Sequence, residues 1–259
     1  MLSPLWRPTT VAMLCVFLPT VATAQLSIDR GELDLAPTGP AQARTGLLTV
    51  RNAGTARVQG MVQIEDWDRA GDGANRFFPL GSQPLSCGTD LQVFPRTLSL
   101  APGEVQTVRV EYTGGARERE CTSLVVVQDA SAPSQVRGAL RFTMRMGLKV
   151  YVTPPGAQGG GDVVSVDVTT TSPDSLTVAV LYRNEGSRRV KAQGRLEVRR
   201  DDNSVVSSAT LPDVYALPGA TMRVGRSLAA LPPGRYLVLA IFDYGGAEYA
   251  AAQREFEVR

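Results

Sequence analysis

Apolar and polar residues alternate along most of this chain. In "ALRFTMRMGLKVYVTPPG" (139–156), Leu140, Phe142, Met144, Met146 and Leu148 take every second position, with Arg141, Thr143 and Arg145 between them. A period of two sends successive side chains to opposite faces of an extended chain. The stretch therefore predicts a strand with one long apolar row. Its character then changes. Lys149 is followed by Val150, Tyr151 and Val152, and Thr153, Pro154 and Pro155 close the run.

The same grammar predicts strands elsewhere. "QLSIDRGELDL" reads as an opening strand, "TGLLTVRNAG" as a strand running into a turn, and "RVQGMVQIEDWD" as a third. A long loop through "GDGANRFFPLGSQPLSCG" follows. "LQVFPRTLSLAPGEVQTVRVEY" reads as two alternating strands about a Pro-Gly turn, and "CTSLVVVQD" as another strand. "TPPGAQGGGD" then interrupts the pattern: prolines stop the strand and three glycines make a flexible joint. Beyond it the series resumes in "DVVSVDVTT", "SLTVAVLYRNEG", "GRLEVRRDDNSVVSSATL", "LPGATMRVGRSL", "PPGRYLVLAIFDYGG" and "AAAQREFEVR". Valine and threonine favour strands, and no helical period stands out beyond the first two dozen residues. The expectation is an all-β chain of two tandem immunoglobulin-like β-sandwich domains, spanning 25–155 and 162–259. "RNAG" and "RNEG" each follow an early strand, which suggests that the two sandwiches are related.

Residues 1–24 read as a signal peptide. Arg7 precedes the apolar "VAMLCVFLP", and "ATAQ" offers small residues for cleavage after Ala24. The apolar segment is short for a membrane span, and nothing later in the chain is a candidate. Cys15 lies inside that segment without a good lipobox before it. An exported protein belongs to an oxidising compartment, here the periplasm. There the two remaining cysteines, Cys87 and Cys121, are expected to form a disulfide, the alternative being two buried free thiols.

Composition excludes several classes of function. The formal net charge is +2, so there is no nucleic-acid or polybasic membrane surface. No histidine occurs, which removes His-based triads and the commonest metal ligand. Glu65, Asp66 and Asp68 do not have the spacing of an EF-hand loop. No enzyme, metal site or cofactor is expected.

Several short features, in order, resemble the PapD-like periplasmic pilus chaperones. These are "LSIDR" (26–30), "LLTVRN" (47–52), "VFPRTLSLAPGEVQTVRV", "RERECTSLVVV" and "LRFTMRMGLKVYVTP". The resemblance covers about Leu26 to Pro154; in "RERECTSLVVV", Cys121 stands where the family has serine. It implies a chaperone of pilus or fimbria subunits that donates the strand around 138–152 to an incomplete subunit sandwich (donor-strand complementation). Pilin-like subunit proteins would be the partners, with an outer-membrane usher as a candidate second partner. Leu140, Phe142 and Met144 would be the subunit-contacting side chains. Lys149 would receive the subunit's terminal carboxylate together with an arginine of the opening strand. The aligned position for that arginine is Glu32, so Arg30, two residues earlier on the same face of a continuous strand, is the expected substitute. Read by periodicity alone, the apolar row of 140–148 belongs to the chain's own core. A structural or adhesive tandem β-sandwich protein of the cell envelope is the alternative function.

Overall fold

The computed structural model describes residues 26–131, 143–172 and 174–258. The residues read as a signal peptide, and Leu140 and Phe142, lie outside them. The first half contains β1 (Leu26–Ile28), β2 (Glu32–Leu35), the short helix α1 (Ala41–Arg44), β3 (Thr45–Asn52), β4 (Val58–Arg69), β5 (Asn75–Phe78), β6 (Leu91–Phe94), β7 (Thr97–Leu100), β8 (Val105–Tyr112), β9 (Cys121–Asp129) and β10 (Arg145–Val152). One sheet has the order β1-β3-β8-β6; the other runs β2-β10-β9-β4-β5, with β7 also paired to β4. Their facing sides enclose a core that includes Leu48, Val50, Leu100, Val108, Val125, Leu148 and Val150.

The second half contains β11 (Asp162–Ser172), β12 (Ser175–Arg183), β13 (Val190–Arg200), β14 (Val205–Thr210), β15 (Val214–Ala216), β16 (Thr221–Ala229), β17 (Gly234–Asp243) and β18 (Ala250–Val258). A β11-β12-β16 sheet packs on a β14-β13-β17-β18 sheet, with β15 joined to β13. Val178, Val180, Tyr182, Leu196, Val198, Val238 and Phe242 form its core. The all-β, two-sandwich expectation therefore describes the fold.

Three local readings change. The opening stretch is two strands, not one: β1 pairs antiparallel with β3, while β2 pairs parallel with β10 in the other sheet. The Asp29–Gly31 bend carries the chain across, fixed by the Asp29 carboxylate, which accepts the Thr49 N–H at 2.9 Å. The expected long loop contains β5, a hairpin on the 12-residue β4, turned at Gly73 with φ +93°. The "LQVFPRTLSL" stretch divides at Pro95, which has no N–H for a ladder. It leaves β6 in one sheet and β7 in the other.

The repeated "RNxG" turns have the same internal construction. Asn52 and Asn184 are both fully buried. The Asn52 amide donates to the carbonyls of Ala56 (2.7 Å) and Leu100 (3.0 Å) and accepts from the Gly54 N–H (2.9 Å). The Asn184 amide donates to those of Arg188 (2.9 Å) and Ala216 (3.0 Å) and accepts from the Gly186 N–H (2.9 Å). In each half a Pro-Gly turn docks on this asparagine: Gly103 N–H donates to the Asn52 carbonyl, and Gly219 N–H to that of Asn184. Both glycines have positive φ, +77° and +78°, which favours glycine there.

Candidate functional site

Along β10 the even positions turn inward. Leu148, Val150 and Val152 are fully buried in the first core, and Met146 packs against it. Met144, on the same row, is 38% exposed. Among the described residues the apolar row thus runs from the part-exposed Met144 into the core. On one side β10 pairs with β9 along its whole length, Arg145↔Gln128 to Val152↔Cys121. On the other side β2 pairs only with Lys149–Val152, beginning where the Lys149 N–H donates to the Gly31 carbonyl at 2.9 Å. The Met144 carbonyl accepts from the Asp129 N–H, so even residues aim their backbone groups at β9. Residues 145 and 147 therefore point theirs at an edge that no described strand covers.

On the opposite face of β10, Tyr151 meets the second sandwich. Tyr151 is buried with Trp67, Leu124 and Val126 of the first sandwich and Leu217 of the second. The run Val150–Val152 is apolar throughout because both faces of the strand are covered here. Trp67 meets Tyr151 edge-on at 6.0 Å, and its indole N–H donates to Thr122 Oγ1 at 2.8 Å. Beside this cluster a cleft of about 410 Å³ opens between the sandwiches, lined by Glu32, Trp67, Arg69, Tyr151, Arg188, Arg189, Lys191, Tyr215, Leu217 and Tyr244, among others.

Arg69, Arg188, Arg189 and Lys191 line the cleft with one carboxylate, Glu32, and Lys149 stands against its Trp67. The Lys149 ammonium lies 4.6 Å from the Trp67 ring centroid. Burial lowers its pKa, the Arg69 guanidinium lowers it further, and Glu32, its neighbour across the β2 ladder, offsets part of this. Arg69 covers Tyr215 at 5.3 Å and donates to the Gly73 carbonyl at 3.3 Å. Neither Lys149 nor Arg69 has an ion-pair partner among the described residues. Lys149 and Arg69 are thus like charges within electrostatic reach of each other, with Glu32 as the opposing carboxylate.

Arg30 is not the second cation of this pair. The premise that it shares a strand face with Glu32 fails because it lies in the bend between β1 and β2. It is bound to the Asp29 carboxylate at 3.1 and 3.2 Å, with its side chain 48% exposed. Arg69, at the end of β4, is the arginine whose charge reaches Lys149.

Below the cleft an ionic cluster joins the sandwiches. The Glu120 side chain, 1% exposed, accepts from Arg189 Nη1 (2.6 Å), the Arg189 N–H (3.0 Å) and Thr153 Oγ1 (2.7 Å). Arg189 also reaches Asp34 at 2.6 Å and lies 3.6 Å over the Tyr151 ring. Further support comes from Glu120 N–H to the Ser187 carbonyl at 2.8 Å and Arg223 N–H to the Gly71 carbonyl at 2.6 Å. Sequence reading missed Arg69, Glu120 and Arg189 as site residues. Glu120 lay within a family-like motif, but nothing local to "SRRV" or "DWDRAGDG" marks the two arginines.

The acidic stretch of β4 is divided among separate partners. Glu65 pairs with Arg145, Asp68 with Arg76, and Asp66 accepts from Ser86 Oγ and the Gln83 N–H. Among the described residues no cluster of His, Cys, Asp or Glu could hold a metal ion, and no helix is long and apolar enough to cross a membrane. Cys87 and Cys121 stand as two buried thiols.

No protein-family model matches the chain, and no curated protein sequence does. Solved structures share its fold. The structure described as a chaperone–tip adhesin complex vital for synergistic activation of CFA/I fimbriae biogenesis matches with a TM-score of 0.52 and 11% identity, covering 90% of this chain and 98% of that one. The class 5 fimbriae chaperone CfaA matches at 0.51 and 13%, covering 89% and 98%. The CsuC–CsuE chaperone–tip adhesion subunit pre-assembly complex, from archaic chaperone-usher Csu pili of Acinetobacter baumannii, matches at 0.50 and 12%, covering 89% and 98%. At these identities the likeness carries the fold, and it extends over both sandwiches rather than the first alone.

Proposed function

We propose that this protein is a periplasmic chaperone of pilus- or fimbria-like subunits, exported by its signal peptide, which lends the open edge of β10 to a subunit that lacks a strand. The observation that carries this reading is the edge itself: a strand anchored in its own core from Met146 onward, paired on one side by no described strand up to Lys149, and ending beside a cationic cleft. An added strand would gain main-chain hydrogen bonds along that edge. The row that buries Leu148 in the chaperone would offer Met144, and beyond it Phe142 and Leu140, to the subunit's groove. The flexible thioether of methionine suits a surface that adapts to its partner. At the end of the track Lys149 and Arg69, rather than Arg30, would take the subunit's terminal carboxylate. The chemistry required is binding, with no covalent step. The fold shared with two chaperone–adhesin complexes supports the same reading. An usher would be a second partner, at a surface still to be assigned.

A photo-crosslinking residue placed at Thr143 in the native host tests it. The expected product is a cross-link to a small exported sandwich subunit, absent when the same residue replaces the exposed Val164 of the second sandwich. Equal cross-linking from both positions, none from Thr143, or recovery of the protein as a permanent part of surface fibres would overturn it.

A further inference from the structure

We propose that Cys87 and Cys121 are a covalent cross-link site whose disulfide rivets the 79–90 loop to the start of β9 and so fixes the carboxylate that holds the second sandwich. Both side chains are buried in the first core. The loop is already laid along the strand. Thr122 N–H donates to the Leu85 carbonyl at 2.8 Å, Cys87 N–H to the Thr122 carbonyl at 3.4 Å, and Ser86 bridges Thr122 in parallel. The folded chain thus brings the two cysteines side by side in one core before any bond exists, and closure requires little further ordering. The placement gives the bond a purpose. Cys121 follows Glu120, the acceptor for Arg189 of the second sandwich, and Leu85 packs against the apolar cluster between the sandwiches.

The chemistry balances with a disulfide oxidant, small-molecule or protein. One cysteine thiolate attacks the oxidant's sulfur and expels a thiolate. The other cysteine thiolate then attacks the mixed disulfide at the first cysteine's sulfur and expels the second. Two cysteine thiols are oxidised, the oxidant is reduced to two thiols, and the two protons pass to the leaving thiolates. Buried thiols are poor nucleophiles, so the bond forms as the chain folds, and the same burial then shields it from reductant.

The test uses the full mature chain, refolded with oxidised glutathione and compared with the reduced protein and with Cys87→Ser. The expected product is two hydrogens lighter, offers no thiol to alkylation in denaturant, and resists dithiothreitol until denaturant is added. Its melting temperature should lie about 10 °C above that of the reduced chain, as for a closed loop of about 35 residues. Amide exchange at Glu120 and Arg189 should be faster in the reduced chain. Two alkylatable thiols after refolding, or a glutathione adduct on either cysteine, overturns the site. Equal melting and equal exchange of the oxidised and reduced forms overturns the rivet. Should Cys87→Ser fail to fold, the oxidised-against-reduced comparison decides alone, since it changes no residue.

Discussion

Replacing Glu120 with alanine should loosen the two sandwiches from each other. Its carboxylate is almost wholly buried and accepts three hydrogen bonds, two of them from Arg189. Removing one partner of a buried, hydrogen-bonded ion pair costs about 3–5 kcal/mol, because the other charge stays desolvated. Here Arg189 keeps Asp34, and its side chain is 19% exposed, so the low end applies, about 3 kcal/mol. Glu120→Gln keeps an oxygen for the Arg189 N–H but gives up the charge and the second oxygen, which accepts from Arg189 Nη1 and Thr153, and should cost about 1–3 kcal/mol. The apolar contact offers little reserve, since Leu217 is the single fully buried residue that the second sandwich contributes to the shared cluster. The chain has two tryptophans, and Trp67 is the only one outside residues 1–24. Its fluorescence in the mature protein therefore reports this interface directly, and a urea titration should show the Trp67 transition moving to lower denaturant in Glu120→Ala. A double-mutant cycle with Arg189→Ala should give a coupling of about 1–3 kcal/mol. A Glu120→Ala midpoint equal to wild type, or losses that simply add, would refute the reasoning.

The two buried asparagines should behave as a matched pair. Asn52→Ala strands two carbonyls and one N–H, Asn184→Ala two carbonyls and two N–H groups, those of Gly186 and Gly160, and each should cost about 2–3 kcal/mol in thermal or urea denaturation. Substitutions along β10 should divide at Met146: Leu148→Glu should collapse the melt of the free protein, because a charge cannot enter that core without a large desolvation cost. Met144→Glu and Phe142→Glu should leave the melt native-like and abolish subunit capture in co-purification; a collapsed melt for either would return it to the chaperone's own core. Lys149→Ala and Arg69→Ala should each weaken capture without unfolding the chain, whereas Arg30→Ala should leave capture unchanged. A capture defect confined to Arg30→Ala would restore the arginine expected from the opening stretch.

The sequence by itself determined the strand content, the break between the halves and the internal likeness of the two sandwiches. Each depends on neighbours in the chain. Side-chain alternation follows from the geometry of extended backbone, and prolines and glycines stop strands locally. An asparagine two residues before a glycine builds the same turn at Asn52 and at Asn184. Only the tertiary structure decided the rest. Whether "LSIDRGELDL" is one strand or two depends on which sheets it meets, and β1 and β2 meet different ones. Splitting it removed Arg30 from the cleft. The cations and carboxylates that build the site lie far apart in the chain: Glu120 binds Arg189 from 69 residues away, and Asp34 binds it from 155. Such pairs leave no local period, because pairing partners are set by strand register and by the packing of one sandwich on the other. That the Arg69 charge reaches Lys149 became legible only once β4 and β10 had been placed in one sheet.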